Sequence, residues 1–379
     1  MTPAISAPKS LRLASRHTGS IRRFTERDIP LVARLHRTVW GDRAAGTMDL
    51  GPYDDYFLRV FLENPSADAA LPSLVYEEDD ARITGFVGIV PRRMVMNGRQ
   101  FLAGVSSQFI VDPVSCVPVV ALRLAQTFME GPQDLSIADE ANDVARKIWE
   151  GLGGTTLLLQ SLHWTRPLRP IELGRSVLGE RPGFQSLATA ARPFGAIADA
   201  IATRMSQSYF YQSPPRASAE DLRSETVLAC LGEFSAAGSL RVDYDQRTFE
   251  WLLERVGQSS PGGCVLKVLL RYQQKILGWY VCHLGRDGVA DVLQLAAKQG
   301  SIDDVLHHLF YHAWQQGAVA VRGRMEPQFM QALSDKYCLF HRRGPWMLIK
   351  AKHPEVLQSF QSGDASFSRL DGEWALRLS

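Results

Sequence analysis

The sequence predicts an α+β protein, with α and β segments mixed along the chain. It is read as two similar halves, each a mixed, mainly antiparallel sheet flanked by helices. Three observations predict this. At roughly 150 residues per domain, the 379 residues suffice for two or three domains. Runs of period-2 alternation, broken by turn residues, are interleaved with runs of helical period. The order hairpin, strand, helix, strand, helix, strand also occurs twice, a repetition of architecture without residue identity.

Residues 1–19 carry Ser, Ala and Pro but no acid, and read as a terminal tail. Residues 20–164 form the first domain. Ile21 to Phe24 reads as a strand, and Thr25 with Glu26 and Asp28 opens a helix with apolar positions Ile29, Val32, Leu35 and Val39. A helix from Asp54 to Leu62 stops before Asn64-Pro65. Leu74 to Glu77 and Ile83 to Pro91 pair around Asp79-Asp80, and Met94 to Met96 with Gln100 to Val111 turn at Asn97-Gly98. After Val111-Asp112-Pro113 a loop leads into a helix, Val119 to Glu130, closed by Gly131-Pro132. A strand from Leu135 to Ala138, a helix from Asn142 to Leu152 and a strand from Thr155 to His163 complete this half.

Residues 165–238 are the expected connection, bracketed by Pro167, Pro170, Pro182, Pro193, Pro214 and Pro215 around an amphipathic stretch at 194–205. Charges are too sparse there for a solvated linker. The second domain, 239–379, opens with a helix, Phe249 to Val256, and a strong hairpin, Cys264 to Tyr272 with Ile276 to Leu284. Val289 to Ala297 is the next strand, followed by a helix from Asp303 to Gln316 and a strand from Val319 to Arg324. A short helix, Pro327 to Leu333, precedes a final strand or hairpin within Cys338 to Lys350.

Composition excludes several classes. With 45% hydrophobic and 22% charged residues the chain is neither disordered nor a fibrous rod. Forty-two basic against 40 acidic residues leave a net charge of +2, too little for a long-range field toward nucleic acid or anionic membrane. Cys116, Cys230, Cys264, Cys282 and Cys338 are widely spaced and form no CxxC pair, so reduced and mostly buried thiols are expected. No apolar run approaches the roughly 18 residues of a membrane span, and the N-terminus lacks a signal-peptide core. A cytoplasmic location is the expectation.

Two motifs carry chemistry. Phe109-Ile110-Val111-Asp112-Pro113 is a strand feeding a loop and a helix, and a helix N-terminus can hold an anion on its unpaired N–H groups. The second is the helical run from Asn142 through Ala145 and Trp149-Glu150-Gly151-Leu152-Gly153-Gly154. Over residues 20 to 163 these resemble the GCN5-related N-acetyltransferase (GNAT) superfamily, in which the loop holds the pyrophosphate of acyl-coenzyme A. Residues 240 to 352 resemble it in segment order alone, so the resemblance implies two GNAT-like domains in tandem. Such arrangements occur among mycothiol-synthase-like and FemAB-like relatives.

The resemblance implies an acyltransferase that moves an acyl group from a thioester carrier to a small-molecule amine by direct attack. The carrier would be acetyl-CoA, another acyl-CoA or an acyl-carrier protein, and no metal is involved. Phe109, Ile110, Val111, Ser115, Cys116, Val117 and Asn142 would hold it. Glu140 or its neighbour Asp139 could be the general base, and Gln108 could orient the acyl carbonyl or the acceptor. Each has a plainer reading as well. Asn142 suits a helix N-cap, the two acids suit a solvated loop, Gln108 suits a sheet edge, and Cys116 suits a structural thiol.

The chain departs from the family in two places. Ser115-Cys116-Val117-Pro118-Val119-Val120 has no glycine where the family loop usually reads Arg/Gln-x-x-Gly-x-Gly/Ala, and Pro118 removes a donor. Trp149 stands where many members carry the tyrosine that protonates the leaving thiolate, and indole cannot act as an acid. A thiolate with a pKa near ~8.5 can leave without it. The apolar Val117, Val119 and Val120 also suit a pantetheine arm on a carrier protein. Two further readings follow: a catalytically inactive GNAT-like module that binds a ligand or partner, and a FemAB-like transferase using aminoacyl-tRNA. The last alone makes nucleic acid a partner, and a basic groove from Arg322, Arg324, Arg342 and Arg343 would favour it. His308 and His312 are an i, i+4 pair without the acid of a zinc-helix motif, and read as ordinary helix residues.

Overall fold

The structure, a computed structural model, describes residues 19–40, 51–115, 117–179, 199, 205, 208–234, 238–258 and 263–378. Cys116, the tail before residue 19 and nearly all of the amphipathic stretch at 194–205 lie outside the described residues. In chain order the described strands are β1 (Gly19–Arg23), β2 (Leu74–Glu78), β3 (Ile83–Met96), β4 (Arg99–Val111), β5 (Leu135–Ala141), β6 (Thr155–Thr156), β7 (His163–Pro167) and β8 (Ser218–Asp221). They continue with β9 (Leu240–Val242), β10 (Cys264–Tyr272), β11 (Lys275–Leu284), β12 (Val289–Ala297), β13 (Ala320–Arg324), β14 (Leu339–His341), β15 (Trp346–Ala351) and β16 (Ala365–Ser366).

They form two mixed sheets flanked by helices. The first runs β1-β2-β3-β4-β5-β15-β6, with β9 on β3 and β16 on β9. Its β3 is buried on both faces from Ile83 to Arg92, because helices cover both sides. On one face α1 (Ile29–Trp40) and α2 (Gly51–Phe61) close a ring cluster of Phe24, Phe57, Phe61 and Phe86. Gly88 permits that closeness, since a Cβ there would lie 2.2 Å from the Phe61 ring. On the other face α3 (Val117–Met129) and α4 (Asp143–Gly151) place Val120, Leu124, Phe128 and Trp149 against Tyr76, Val87 and Leu348.

The second sheet runs β14-β7-β13-β12-β11-β10-β8. The helix Ile302–Gln315 packs Val305, Leu306, Leu309 and Phe310 on one face, and Gln246–Gln258 packs Phe249, Leu252 and Val256 on the other. His308 and His312 share the hydroxyl of Tyr280 at 3.1 and 2.8 Å within this packing. Among the described residues no group of His, Cys, Asp and Glu is placed to hold a metal, and no helix is long and apolar enough to cross a membrane.

The two sheets exchange strands. β7 follows the first half directly yet pairs with β13 and β14, so the expected boundary at 164/165 falls inside a strand. Conversely β15 pairs antiparallel with β5 of the first sheet, Ile349 opposite Ile137 and Trp346 opposite Ala141. The single expected element from Cys338 to Lys350 is therefore two strands in different sheets, and the expected strand from Thr155 to His163 divides in the same way. Alternation reports which face of a strand is buried, while the partner depends on the chain path, and neighbours in sequence are not always neighbours in the sheet.

Candidate active site

β4 and β5 are parallel and pair only from Ala103/Leu135 to Val105/Ile137. Beyond that point they diverge. The cause lies in β4: against β3, Phe86 faces Ile110 but Gly88 faces Ser107, so β4 carries one extra residue. Gln108 takes the left-handed conformation that such a bulge needs, with φ +53. The wedge between the strands opens into a cavity of about 250 Å³. Its walls are mostly apolar, with Phe109, Val111 and Val117 on one side and Ala145, Ile148 and Trp149 on the other. Its inner end is polar, formed by Ser106, Ser107, Gln108, Glu140 and Glu373.

Glu373 has no counterpart in the motifs above. It arrives from the C-terminal segment, where its own N–H donates to Asp139 Oδ1 at 2.8 Å. Its carboxylate accepts the bulge N–H of Gln108 at 2.9 Å and the Ser107 hydroxyl at 3.3 Å. Burial, reinforced by the nearby charges of Asp139 and Glu140, pushes its pKa up to about 8 against the Gln108 hydrogen bond. Tyr56 donates to the Leu376 carbonyl at 2.6 Å, and burial beside Glu373 raises its pKa. The Gln108 side-chain oxygen accepts from His36 Nε2 at 2.7 Å, and burial lowers the His36 pKa, favouring the neutral ring.

Asp139 and Glu140 lie within β5 rather than in a loop after it. Asp139 is fully buried in an ion pair with Arg324 at 2.7 Å. Glu140 borders the cavity with its carboxylate held between Arg377 and Arg369, the latter at 3.6 Å. Arg324 and Arg322 are thus engaged by Asp139 and Asp291. Arg342 lies over the Trp346 ring on which Arg146 also stacks.

Of the residues assigned to the carrier, Phe109, Val111, Val117 and Asn142 line the cavity. Ile110 points the other way, into the α1/α2 core. Ser115 sits in the loop before α3, its hydroxyl on the Asp112 carbonyl at 2.7 Å. Asn142 Oδ1 caps α4, accepting the N–H groups of Val144 and Ala145 at 3.0 and 2.9 Å. Asn142→Ala should therefore cost about 1 kcal/mol of stability, read from denaturant unfolding, whatever it does to ligand binding.

The second sheet repeats the wedge and then fills it. β12 and β13 pair only from Val289/Ala320 to Asp291/Arg322, and β12 bulges where Val281 faces Gln294 but Cys282 faces Val292. The C-terminal segment seals this opening. Leu370 N–H donates to the Leu293 carbonyl at 2.9 Å, Arg369 pairs with Asp291 at 3.0 Å, and Arg324 holds the Phe367 carbonyl at 2.9 Å. Two small cavities remain, about 10 Å³ between Val292, Arg324 and Ser368 and about 50 Å³ beside Gln294, Glu326 and Asp371. The same segment thus closes one wedge and delivers Glu373 into the other. Gly372 makes the turn between them, because a Cβ there would fall 1.9 Å from Asp139 Oδ2. Gly372→Ala should cost about 1–3 kcal/mol and displace Glu373, seen as a joint fall in melting temperature and turnover.

The architecture is thus two bulged, splayed sheets joined by exchanged strands, one of them with an open cavity. No family model matches the sequence, and no curated protein matches it. Solved structures do match. A GCN5-related N-acetyltransferase from Anabaena variabilis aligns over 87% of this chain and 72% of its own, at TM-score 0.55 and 10% identity. A probable N-acyltransferase from Enterococcus faecalis aligns over 90% and 74%, at TM-score 0.56 and 10% identity. The N-myristoyltransferase of Saccharomyces cerevisiae, solved with bound myristoyl-CoA, aligns over 91% and 81% at TM-score 0.49 and 12% identity. The chain has the GNAT fold, and the likeness extends over both halves.

Proposed function

We propose that the protein transfers an acyl group from a thioester donor to an amine, with chemistry in the first wedge. The observation that carries this reading is Glu373, a carboxylate with a raised pKa at the polar end of an otherwise apolar cavity. An amine nucleophile must lose a proton as it attacks, and a base with a pKa near ambient pH suits that task. The amine nitrogen adds to the thioester carbonyl, Glu373 accepts its proton, and the C–S bond breaks as the carbonyl re-forms. The thiolate leaves without a donor from Trp149, its pKa of ~8.5 making it an adequate leaving group. Glu140, neutralised by Arg369 and Arg377, shapes the electrostatics around Glu373, and Gln108 supports it through the bulge N–H.

The test is to incubate the protein with acetyl and longer-chain thioesters and a panel of primary amines, following thiol release and the mass of the product. Thiol release that requires an amine and yields its N-acyl derivative supports the reading. Absence of product with every pair would favour the ligand-binding alternative.

A further inference from the structure

Resting on that proposed acyl transfer, we infer that the donor is recognised through its pantetheine arm and acyl chain, with its phosphate-bearing end outside the protein's grip. The loop before α3 is where an anion would meet a helix N-terminus, and three of its described donors are already used. Val114 N–H donates to Asp112 Oδ1 at 2.9 Å, Ser115 N–H to the Asp112 carbonyl at 3.0 Å, and Val117 N–H to the Ser115 carbonyl at 2.8 Å. Pro118 has none to offer. Asp112 places a carboxylate at this spot, balanced by Arg82 at 3.5 Å, where a diphosphate would need positive potential.

The helices α3 and α4 beside the cavity supply little in compensation. Arg123 of α3 donates to the Gly19 carbonyl and the Tyr76 hydroxyl, at 2.9 and 3.2 Å. Arg146 of α4 holds Glu150 at 2.8 Å. Lys147 is exposed, where a single ion pair is weak. The rim is instead apolar: Trp40 and Val144 line the cavity while 61% and 65% exposed, and Val114 on the loop is 87% exposed. Such a rim suits the amide and methylene groups of pantetheine and a hydrocarbon chain. A donor of this kind can be a small pantetheine thioester or the same arm on a carrier protein.

The experiment compares acetyl-CoA, S-acetylpantetheine and an acetylated acyl-carrier protein, by calorimetric binding and by turnover with one amine. Acetyl-CoA and S-acetylpantetheine should agree within about threefold, since α3, α4 and the loop before α3, among the described residues, offer phosphate no buried cation. 3′,5′-ADP should show no binding at millimolar concentration. A preference for acetyl-CoA of about thirtyfold or more, or micromolar binding of 3′,5′-ADP, would overturn the inference. A carrier-protein advantage of about tenfold over both small donors identifies a protein as the source, and equality identifies the free arm. The binding comparison stands without turnover, so failure of acyl transfer and failure of this inference are separable. Asp112→Gly, which releases the Val114 N–H, should shift the ratio toward acetyl-CoA by about tenfold, and an unchanged ratio would remove Asp112 from the argument.

Discussion

Glu373→Gln is expected to lower turnover by about 10²–10⁴-fold, the usual contribution of a general base. The wild-type rate should rise about tenfold per pH unit up to a pH of about 8 and level off above it, because the carboxylate acts only when ionised. The residual rate of the variant should lack that limb. A stability effect of opposite sign accompanies the loss. The folded pKa lies above the ordinary 4.5, so the folded state binds more protons than the unfolded chain between those values. The contribution of Glu373 is therefore full below pH ~4.5 and is lost as pH rises through about 8. Glutamine keeps an acceptor for the Gln108 N–H and escapes the charge, so the variant should melt above the wild type at pH ~9 and near it at pH ~5. A variant that loses activity while keeping the wild-type pH dependence of melting would contradict the placement of this carboxylate.

Arg324→Ala should be the most destabilising single change at the junction of the sheets. Arg324 and Asp139 are almost wholly buried, and Arg324 also holds the Phe367 carbonyl. Removing the cation strands Asp139 in the interior, at a cost of about 3–5 kcal/mol. Turnover should fall with it, because Asp139 positions the backbone of Glu373. Arg322→Ala is the control. Arg322 is 46% exposed on its side chain, and its partner Asp291 retains Arg369, so well under half of that loss is expected. Equal losses in urea titrations of the two variants would refute the difference in burial that this account rests on.

Much of the secondary structure was legible because its signals are local. Cys264–Tyr272 and Val289–Ala297 are apolar-rich runs bounded by turn residues, and both are strands with those bounds. The sequence divides Ile83 to Pro91 from Met94 to Met96, whereas the structure joins them as one strand, Ile83–Met96, with Pro91 in register opposite Gly104. The GNAT fold itself was readable from the order of elements and from the strand, loop and helix around Val111-Asp112-Pro113. The pairing of β15 with β5 was not, because alternation is the same whichever sheet a strand joins.

The candidate site divides along the same line. The sequence alone determined the N-cap at Asn142, the loop without glycine and the tryptophan in place of an acid, while the family resemblance pointed to Phe109, Val111 and Val117. Each of these depends on residue type and near neighbours. It pointed to Glu140 and Asp139 as candidate bases, because they follow the right strand. Only the tertiary structure decided that both carboxylates are held by arginines and that Glu373, 234 residues beyond Asp139, comes to the bulge in their stead. The physical reason is that a carboxyl's proton affinity is set by the water it loses and the charges it meets, and a chain brings those together only when it folds.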